Sequence, residues 1–158
     1  MKKTHMLILF ALTGCLAHAV QFSLTFTQAA NLLGGLKGLD GYTKLDANNR
    51  STPVMYDFSG NTRKAIRKDI AALQPKIDEL TTVNRDIMVA AGIVDMNKAT
   101  VDQVAVTNKK WADATKDPII VDLDVITEAD LNLDSNPIPG SVTAALVVIE
   151  SAPPTPKK

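Results

Sequence analysis

The sequence predicts a mainly helical α+β domain, in which a kinked helix rod packs on a second amphipathic helix with a few short strands. Three observations lead to this fold class. Apolar residues recur every three or four positions over residues 66–87 and again over 101–112, which is the helical period. Residues 20–26 and 119–125 alternate apolar and polar side chains, as half-buried strands do. Aromatic residues make up only 4% of the chain, so the core must consist mainly of Leu, Ile, Val and Ala.

The length and charge of the chain indicate one domain without an electrostatic preference for polyanions. We divide the 158 residues into a signal-like leader (1–19), a single globular domain (20–150) and a disordered tail rich in proline and lysine (151–158). The whole chain has 17 basic and 17 acidic residues. The leader contains Lys2 and Lys3 and no acid, so 15 basic and 17 acidic residues remain after it. A nucleic-acid partner is therefore not expected.

Residues 1–19 have the three-part layout of a secretory signal. Two lysines in "MKKTH" precede the apolar run "MLILFAL" and the small-residue segment "TGCLAHA". Ala17 and Ala19 form a small-x-small pattern that predicts cleavage between Ala19 and Val20. "LTGC" instead resembles a bacterial lipobox, in which Cys15 would be acylated. A third interpretation is that the segment lies upstream of the true start and directs no export.

The leader also contains both histidines, His5 and His18, and the only cysteine. After cleavage behind Ala19, the remaining chain would have no imidazole or thiolate to serve as a nucleophile or metal ligand, and no disulfide. We therefore expect no enzyme activity, no cofactor and no metal site, and no small-molecule substrate is evident.

The first elements of the domain follow from local patterns. A strand over residues 20–26 precedes a helix capped by Thr27, and polar turn-forming residues predict a loop over 40–53, followed by a short strand over 53–58. Three glycines either allow another helix to approach closely or fray this first helix: Gly34, Gly35 and Gly38.

The strongest pattern is a continuous apolar stripe, which we call the seam, on a helix capped by Ser59. Pro75 should kink or split this helix, giving segments 60–74 and 76–91, and Gly92 should terminate it. The seam could pack inside the domain or be kept for a partner, and internal packing is the simpler interpretation. The candidate interaction residues are Ile66, Ile70, Leu73, Ile77, Leu80 and Ile87 of the seam, together with Trp111.

The remaining elements are one amphipathic helix, one strand, one capped turn and one apolar helix. Thr100 begins the amphipathic helix, and its expected apolar side contains Val101, Val104, Ala105, Asn108, Trp111 and Ala112. In the strand over 119–125, Asp122 and Asp124 are predicted to be solvated charges that discourage edge pairing. Thr127 caps a single turn, and an apolar helix from Ser141 must be buried in the fold or against a partner.

Three segments resemble small proteins of tailed bacteriophages and prophages. These are "FTQAANLLGGLKGLDGYTK", "YDFSGNTRKAIRKDIAALQPKIDEL" and "DLNLDSNPIPGSVTAALVVIE", and the resemblance that they carry extends from about Phe22 to Glu150. The resemblance implies a virion or assembly accessory and supplies no catalytic motif. In such proteins the chain usually begins near the equivalent of Val20, so the leader departs from the pattern.

Two functions remain open on this basis. The first is a non-enzymatic structural or assembly protein, of bacteriophage derivation, that acts through helix-mediated contacts with a protein partner or with itself. The alternative is an exported periplasmic or lipid-anchored envelope protein that binds a partner. The location is periplasmic or membrane-attached if the leader is genuine, and the virion or host cytoplasm otherwise. A membrane is expected only if Cys15 is acylated.

Overall fold

The computed structural model describes residues 19–45 and 47–151. Over these residues the predicted fold class, α+β and mainly helical, is confirmed by five α-helices and two small two-stranded sheets. In chain order the elements are β1 (Ala19–Leu24), α1 (Phe26–Asp40), β2 (Tyr42–Leu45), β3 (Ser51–Val54), α2 (Gly60–Ala90), a 3-10 turn (Met96–Lys98), α3 (Val101–Ala114), β4 (Ile119–Asp124), α4 (Glu128–Leu131) and α5 (Gly140–Ser151).

The first sheet joins two strands that lie far apart in the sequence. β1 pairs antiparallel with β4, with Ala19 opposite Asp124 and Leu24 opposite Ile119. Both strands were expected from their alternating patterns, because one face of each supplies the core. The sheet lies against α2, which β4 contacts directly.

The second sheet is a hairpin that the sequence prediction missed. β2 and β3 pair antiparallel where we expected a loop over residues 40–53. The expected strand over 53–58 was also wrong, because β3 ends at Val54. Both strands of the hairpin are short and largely polar, and Pro53 lies within β3, so the local pattern indicates a loop.

The cap of α1 lies two residues earlier than predicted. Thr25, and not Thr27, accepts a hydrogen bond from the backbone N–H of Gln28, and the Gln28 side chain accepts one from the backbone N–H of Thr25. This capping box satisfies two backbone N–H groups at once, an advantage that Thr27 lacks because Ala30 lies three residues after it. Phe26 therefore begins the helix instead of ending the strand.

Two of the three glycines in α1 make room for α5. A Cβ atom at Gly35 would lie 2.8 Å from the Cβ of Ala145, and one at Gly38 would lie 3.2 Å from Val142. The prediction that these glycines allow close helix packing is thus confirmed for Gly35 and Gly38. Gly34 faces open space.

Helix α2 runs unbroken through Pro75 for 31 residues, about 46 Å, so the predicted split into two helices was wrong. Proline removes one backbone hydrogen bond and costs about 3 kcal/mol in a helix interior. Leu73 is fully buried before the proline, and Ile77 and Leu80 pack against the same core after it. Because both halves bury apolar side chains in one core, continuity of the helix is favoured over a break.

The C-terminus of α2 is closed by a Schellman motif. The N–H of Gly92 donates to the carbonyl of Val89 at 2.9 Å, and the N–H of Ile93 donates to that of Met88 at 3.0 Å. This arrangement needs a left-handed residue, and Gly92 has φ of +70°. The predicted role of Gly92 in ending the helix is confirmed.

The core lies around α1, which contacts both α2 and α5. It is built from aliphatic side chains with a few aromatic ones, as the composition indicates. Its fully buried members include Phe22, Leu24, Leu32, Leu36, Leu39, Ile66, Leu73 and Leu123. No helix in the described part of the chain is long and apolar enough to cross a membrane.

Helix α3 begins after Thr100 as predicted, with a capping box to Gln103, but its buried side differs from the expected one. Thr107 is the buried residue, whereas Val101 and Ala105 of the predicted stripe are exposed. Thr107 can be buried because its hydroxyl donates to the carbonyl of Gln103 at 2.8 Å. The side of α3 that faces the interior therefore does not coincide with the predicted apolar stripe, and part of that stripe is exposed to solvent.

The last elements follow the prediction closely. Thr127 caps the single turn of α4. Helix α5 spans Gly140–Ser151, one residue earlier than expected, and its Leu146 is buried while Val142 packs against the core. The tail over 152–158 lies outside the described residues.

Candidate functional site

Helices α2 and α3 are joined by a short connection and form a helical hairpin. The buried residues of α2 lie in its first half and end at Leu73. Leu80 is the last residue of α2 that packs against the core, and α2 also contacts α3. The side-chain amide of Gln103 donates to the carbonyl of Ala91 at 2.9 Å, which ties the start of α3 to the end of α2.

We call residues 88–106 the hairpin tip. Its backbone is held at three points by the motifs already described: the Schellman motif at Gly92, the capping box at Thr100 and the Gln103 to Ala91 bond. In the connecting turn, the carboxylate of Asp95 also accepts the N–H of Asn97 at 2.9 Å. Because these bonds fix the chain locally, the side chains of the tip are presented in a defined arrangement.

Exposed apolar side chains are concentrated at this tip. Val94 is 100% exposed and Val101 is 84% exposed. Isolated exposed apolar residues are normal on a protein surface, but a cluster of them indicates an interaction site. Among the described residues, the tip holds five of the ten large apolar side chains that are exposed: Val89, Val94, Met96, Val101 and Val106.

A groove of about 470 Å³ lies beside this cluster. Its apolar lining comes from the end of α2 and the turn after it, namely Met88, Val89, Ile93 and Val94. Its polar lining comes from the preceding turns of α2, namely Thr81, Asn84 and Arg85. A lining that combines apolar and polar side chains is the usual composition of a protein-binding surface.

Charges of both signs surround the tip. Arg85 and Asp86 lie 3.8 Å apart and are both well exposed, so this pair contributes little to stability. Lys98 lies in the turn between the helices, and Asp95 and Asp102 flank it. The surface therefore has no single-sign field that would attract a polyanion.

The structure places most of the predicted seam inside the molecule. Ile66 and Leu73 are fully buried, and Ile70, Ile77 and Leu80 pack against the core. Ile87 is half-buried. Trp111 is also half-buried, with its ring edge-on to that of Phe26 and the ring centroids 4.9 Å apart. The exposed apolar residues of the hairpin are therefore those of the hairpin tip and not those of the seam.

Sequence reasoning missed the tip residues for an identifiable reason. Val89, Val94 and Met96 belong to no periodic pattern, and Val101 was assigned to the buried side of α3. The signal that could have found them is the Gly92 stop followed by a turn that contains apolar residues with no expected core position.

The predicted processing sites fall partly outside the described residues. Cys15 lies there, and nothing in the structure bears on its acylation. Ala19 and Val20, which flank the predicted cleavage site, are the first two residues of β1 and lie opposite Asp124 and Leu123. The bond between them is therefore part of a paired strand in the folded chain.

A buried acidic pair lies between α2 and the first sheet. Asp69 is fully buried, and its Oδ1 accepts the backbone N–H of Asp124 at 2.9 Å. The carboxylate of Asp124 accepts a hydrogen bond from Nζ of Lys68 at 2.6 Å and is nearly buried, so the prediction of a solvated Asp124 was wrong. The ammonium of Lys68, which reaches over from α2, makes this burial possible.

The electrostatics of this pair are dominated by desolvation. Burial raises the pKa of Asp69 to about 7, while the hydrogen bond from Asp124 opposes the rise. The hydrogen bond to Asp124 raises the pKa of Lys68. Within the described ranges, no group of three or more acidic, histidine or cysteine side chains could hold a metal ion.

A cleft of about 370 Å³ lies between α1, α2 and the β2–β3 hairpin. Tyr42 and Met55 line it and are partly exposed, while Lys37 and Asp40 provide its charges. Asp40 already pairs with Arg67 at 2.8 Å. The cleft therefore offers an apolar wall with few free polar groups, which is a poor match to a specific small-molecule site.

The basic residues at the start of α2 are largely engaged within the chain. Arg63 donates to the carbonyl oxygens of Tyr56 and Phe58, and Arg67 and Lys68 pair with acids. These contacts anchor the segment before α2 and the strand β4. Three of the basic side chains in this part of the helix are thus already paired within the chain, which makes them less available to phosphate groups.

With this geometry established, we compared the chain with known proteins. No family model, curated protein or solved structure matches it.

Proposed function

We propose that this chain is a non-enzymatic structural or assembly protein that binds a protein partner through the hairpin tip. The observation that carries the proposal is the cluster of exposed apolar side chains on a helical hairpin with a locally fixed backbone. A surface that is already ordered loses little conformational entropy when it binds, which favours stable contacts.

The chemistry of the tip favours a protein as the partner. The fully exposed Val94 lines a groove together with other apolar side chains, and Arg85 also lines that groove. A helix or loop that presents one or two apolar side chains would fill such a surface, whereas a nucleic acid would require a basic one. The bacteriophage origin in this proposal is supported by the resemblance of the three sequence segments.

The absence of enzyme activity is likewise part of the proposal. Residues 20–158 contain no histidine and no cysteine. Asp69 and Asp124, which are joined by a hydrogen bond from the backbone N–H of Asp124 to Oδ1 of Asp69, are buried at a helix–sheet junction where a substrate would not reach them.

An exported or lipid-anchored envelope protein is the second candidate, and one structural observation favours it. Cleavage between Ala19 and Val20 would remove one residue pair from β1, while Val20 through Leu24 would keep their partners in β4. The domain is therefore compatible with processing. Mass spectrometry of the N-terminus decides the matter: acylated Cys15 or terminal Val20 supports export, and an intact leader contradicts it.

Recovery of the tagged full-length chain from its source cells tests the proposed function. The test variant combines Val94→Glu with Val101→Glu. Val101 is the first residue of α3, where an acidic side chain is favourable for the helix, so the variant should fold normally. Leu133→Glu is the matched control, because Leu133 is an exposed apolar residue outside the tip.

We expect the same protein to co-purify with the wild type and with the Leu133→Glu chain, and to be lost from the double variant. Circular dichroism confirms that all three chains fold. Undiminished recovery of that protein by a folded double variant would contradict the tip as the binding surface.

A further inference from the structure

Asp69 is an unusual group in this fold because its carboxyl is fully buried and only half of it is bonded. Oδ1 accepts the N–H of Asp124, and Oδ2 has no hydrogen-bond partner among the residues that the structure describes. Most buried polar atoms are bonded, so an unpaired carboxylate oxygen calls for an explanation. A carboxylate in this position would place one negatively charged oxygen in the interior without a described donor, which is energetically costly.

The charged groups around Asp69 do not balance it. Lys68, the neighbouring residue on α2, is half-exposed and directs its ammonium to Asp124. On β4, Asp124 is the adjacent acid and Asp122 is exposed to solvent. The other strand of the sheet, β1, has the sequence "AVQFSL" and contains no ionisable side chain. Two acids thus share one base at this junction, which leaves one negative charge uncompensated when both are ionised.

We propose that Asp69 is a proton-binding site that controls how tightly the β1–β4 sheet is held on α2. With a proton on Oδ2, the group is neutral, and Oδ1 still accepts the N–H of Asp124. When the proton leaves to solvent, a buried negative charge faces the carboxylate of Asp124, and the helix–sheet contact weakens.

The direction of the effect follows from linkage. Burial raises the pKa of Asp69 from 3.8 to about 7, so the folded chain binds this proton more tightly than the unfolded chain. The stabilisation is complete below about pH 4, decreases as the pH rises, and is lost above about pH 7. This trend is opposite to that of a salt-bridged surface carboxylate.

The position of the contact determines which part of the fold responds. Asp124 lies opposite Ala19, the first residue of β1. The N–H of Asp124 that Asp69 accepts would otherwise be an unpaired donor at the edge of the sheet. Loss of the proton should therefore loosen the end of the sheet where residues 1–18 join it, before it affects α1 or α5.

Denaturant unfolding of the full-length chain between pH 5 and 8 tests the proposal. The test variant is Asp69→Asn, which keeps an oxygen for the Asp124 N–H and cannot ionise, and the matched control is Asp122→Asn on the same sheet. We expect the ratio of the wild-type unfolding constant to that of Asp69→Asn to increase by up to about tenfold per pH unit until about pH 7 and then to level off. The same ratio for Asp122→Asn should change little.

A measurement on the wild type alone keeps the proposal testable if Asp69→Asn does not fold. The ¹³C resonance of the Asp69 carboxyl should titrate with a midpoint near 7, and the hydrogen-exchange protection of the Asp124 amide should fall over the same range. A midpoint below 5, or unchanged protection, would overturn the proposal. So would a wild-type pH profile that Asp69→Asn reproduces.

Discussion

The contact between α1 and α5 can be tested with two neighbouring glycines. Alanine at Gly34 and alanine at Gly35 gain the same helix propensity, up to about 1 kcal/mol each, because both positions lie inside α1. The two positions differ in the atoms that the new methyl group would contact. At Gly34 no atom of the described residues would lie within 4 Å of the new methyl group, whereas at Gly35 the Cβ of Ala145 would be 2.8 Å away.

The clash at Gly35 cannot be relieved by a side-chain rotation. The Cβ of Ala145 is attached directly to the backbone of α5, and carbon atoms rest about 3.5–4.0 Å apart. One helix must therefore move, and such overpacking costs about 1–3 kcal/mol. We expect Gly34→Ala to raise the free energy of unfolding by up to about 1 kcal/mol. The free energy of unfolding of Gly35→Ala should be about 1–3 kcal/mol lower than that of Gly34→Ala.

Guanidinium unfolding of the full-length chain measures both free energies, with equal m-values as the condition for comparing them. Adding Ala145→Gly provides the decisive control. In a double-mutant cycle, Ala145→Gly should lower the free energy of unfolding less in the Gly35→Ala chain than in the wild type, or should even raise it. Equal stabilities of the two single variants, within about 0.3 kcal/mol, would refute the close contact between the two helices.

Three further predictions concern the core, a helix cap and an aromatic contact. Leu73→Ala should lower the free energy of unfolding by about 2–5 kcal/mol, whereas Leu133→Ala should change it by less than about 0.5 kcal/mol, because only Leu73 is buried. Thr100→Ala should cost about 1 kcal/mol through loss of the capping box, and thermal unfolding with Thr100→Ser as the tolerated control will show this. A double-mutant cycle on Phe26 and Trp111, each replaced by leucine, should give a coupling of about 0.5–1.5 kcal/mol, and a coupling near zero would contradict the edge-on ring contact.

Most helix ends, which are set by neighbouring residues, could be predicted from the sequence, and the cap of α1 at Thr25 was the exception. The caps Ser59, Thr100 and Thr127 were identified correctly because each hydroxyl bonds an N–H only three residues away. The glycine that ends α2 was identified for a similar reason, since its left-handed φ is a local requirement.

Features that depend on distant parts of the chain could not be predicted. Pro75 should end a helix by local rules, yet packing on both of its sides keeps α2 continuous. Asp124 looks like a surface charge in its strand, and only the side chains of Lys68 and Asp69, more than fifty residues earlier, explain its burial. The hairpin tip escaped prediction because exposure depends on where the neighbouring elements stop.

The pairing of β1 with β4 also determines when β1 can fold during protein synthesis. Val20 lies opposite Leu123, so about a hundred residues must be synthesised before this strand acquires its partner. Ribosomes add about 5–20 residues per second, and the segment around Ala19 therefore remains without its partner strand for roughly 5–20 s. A processing enzyme that acts during synthesis would meet the Ala19–Val20 bond in this open form, whereas one that acts after folding would meet it within the sheet.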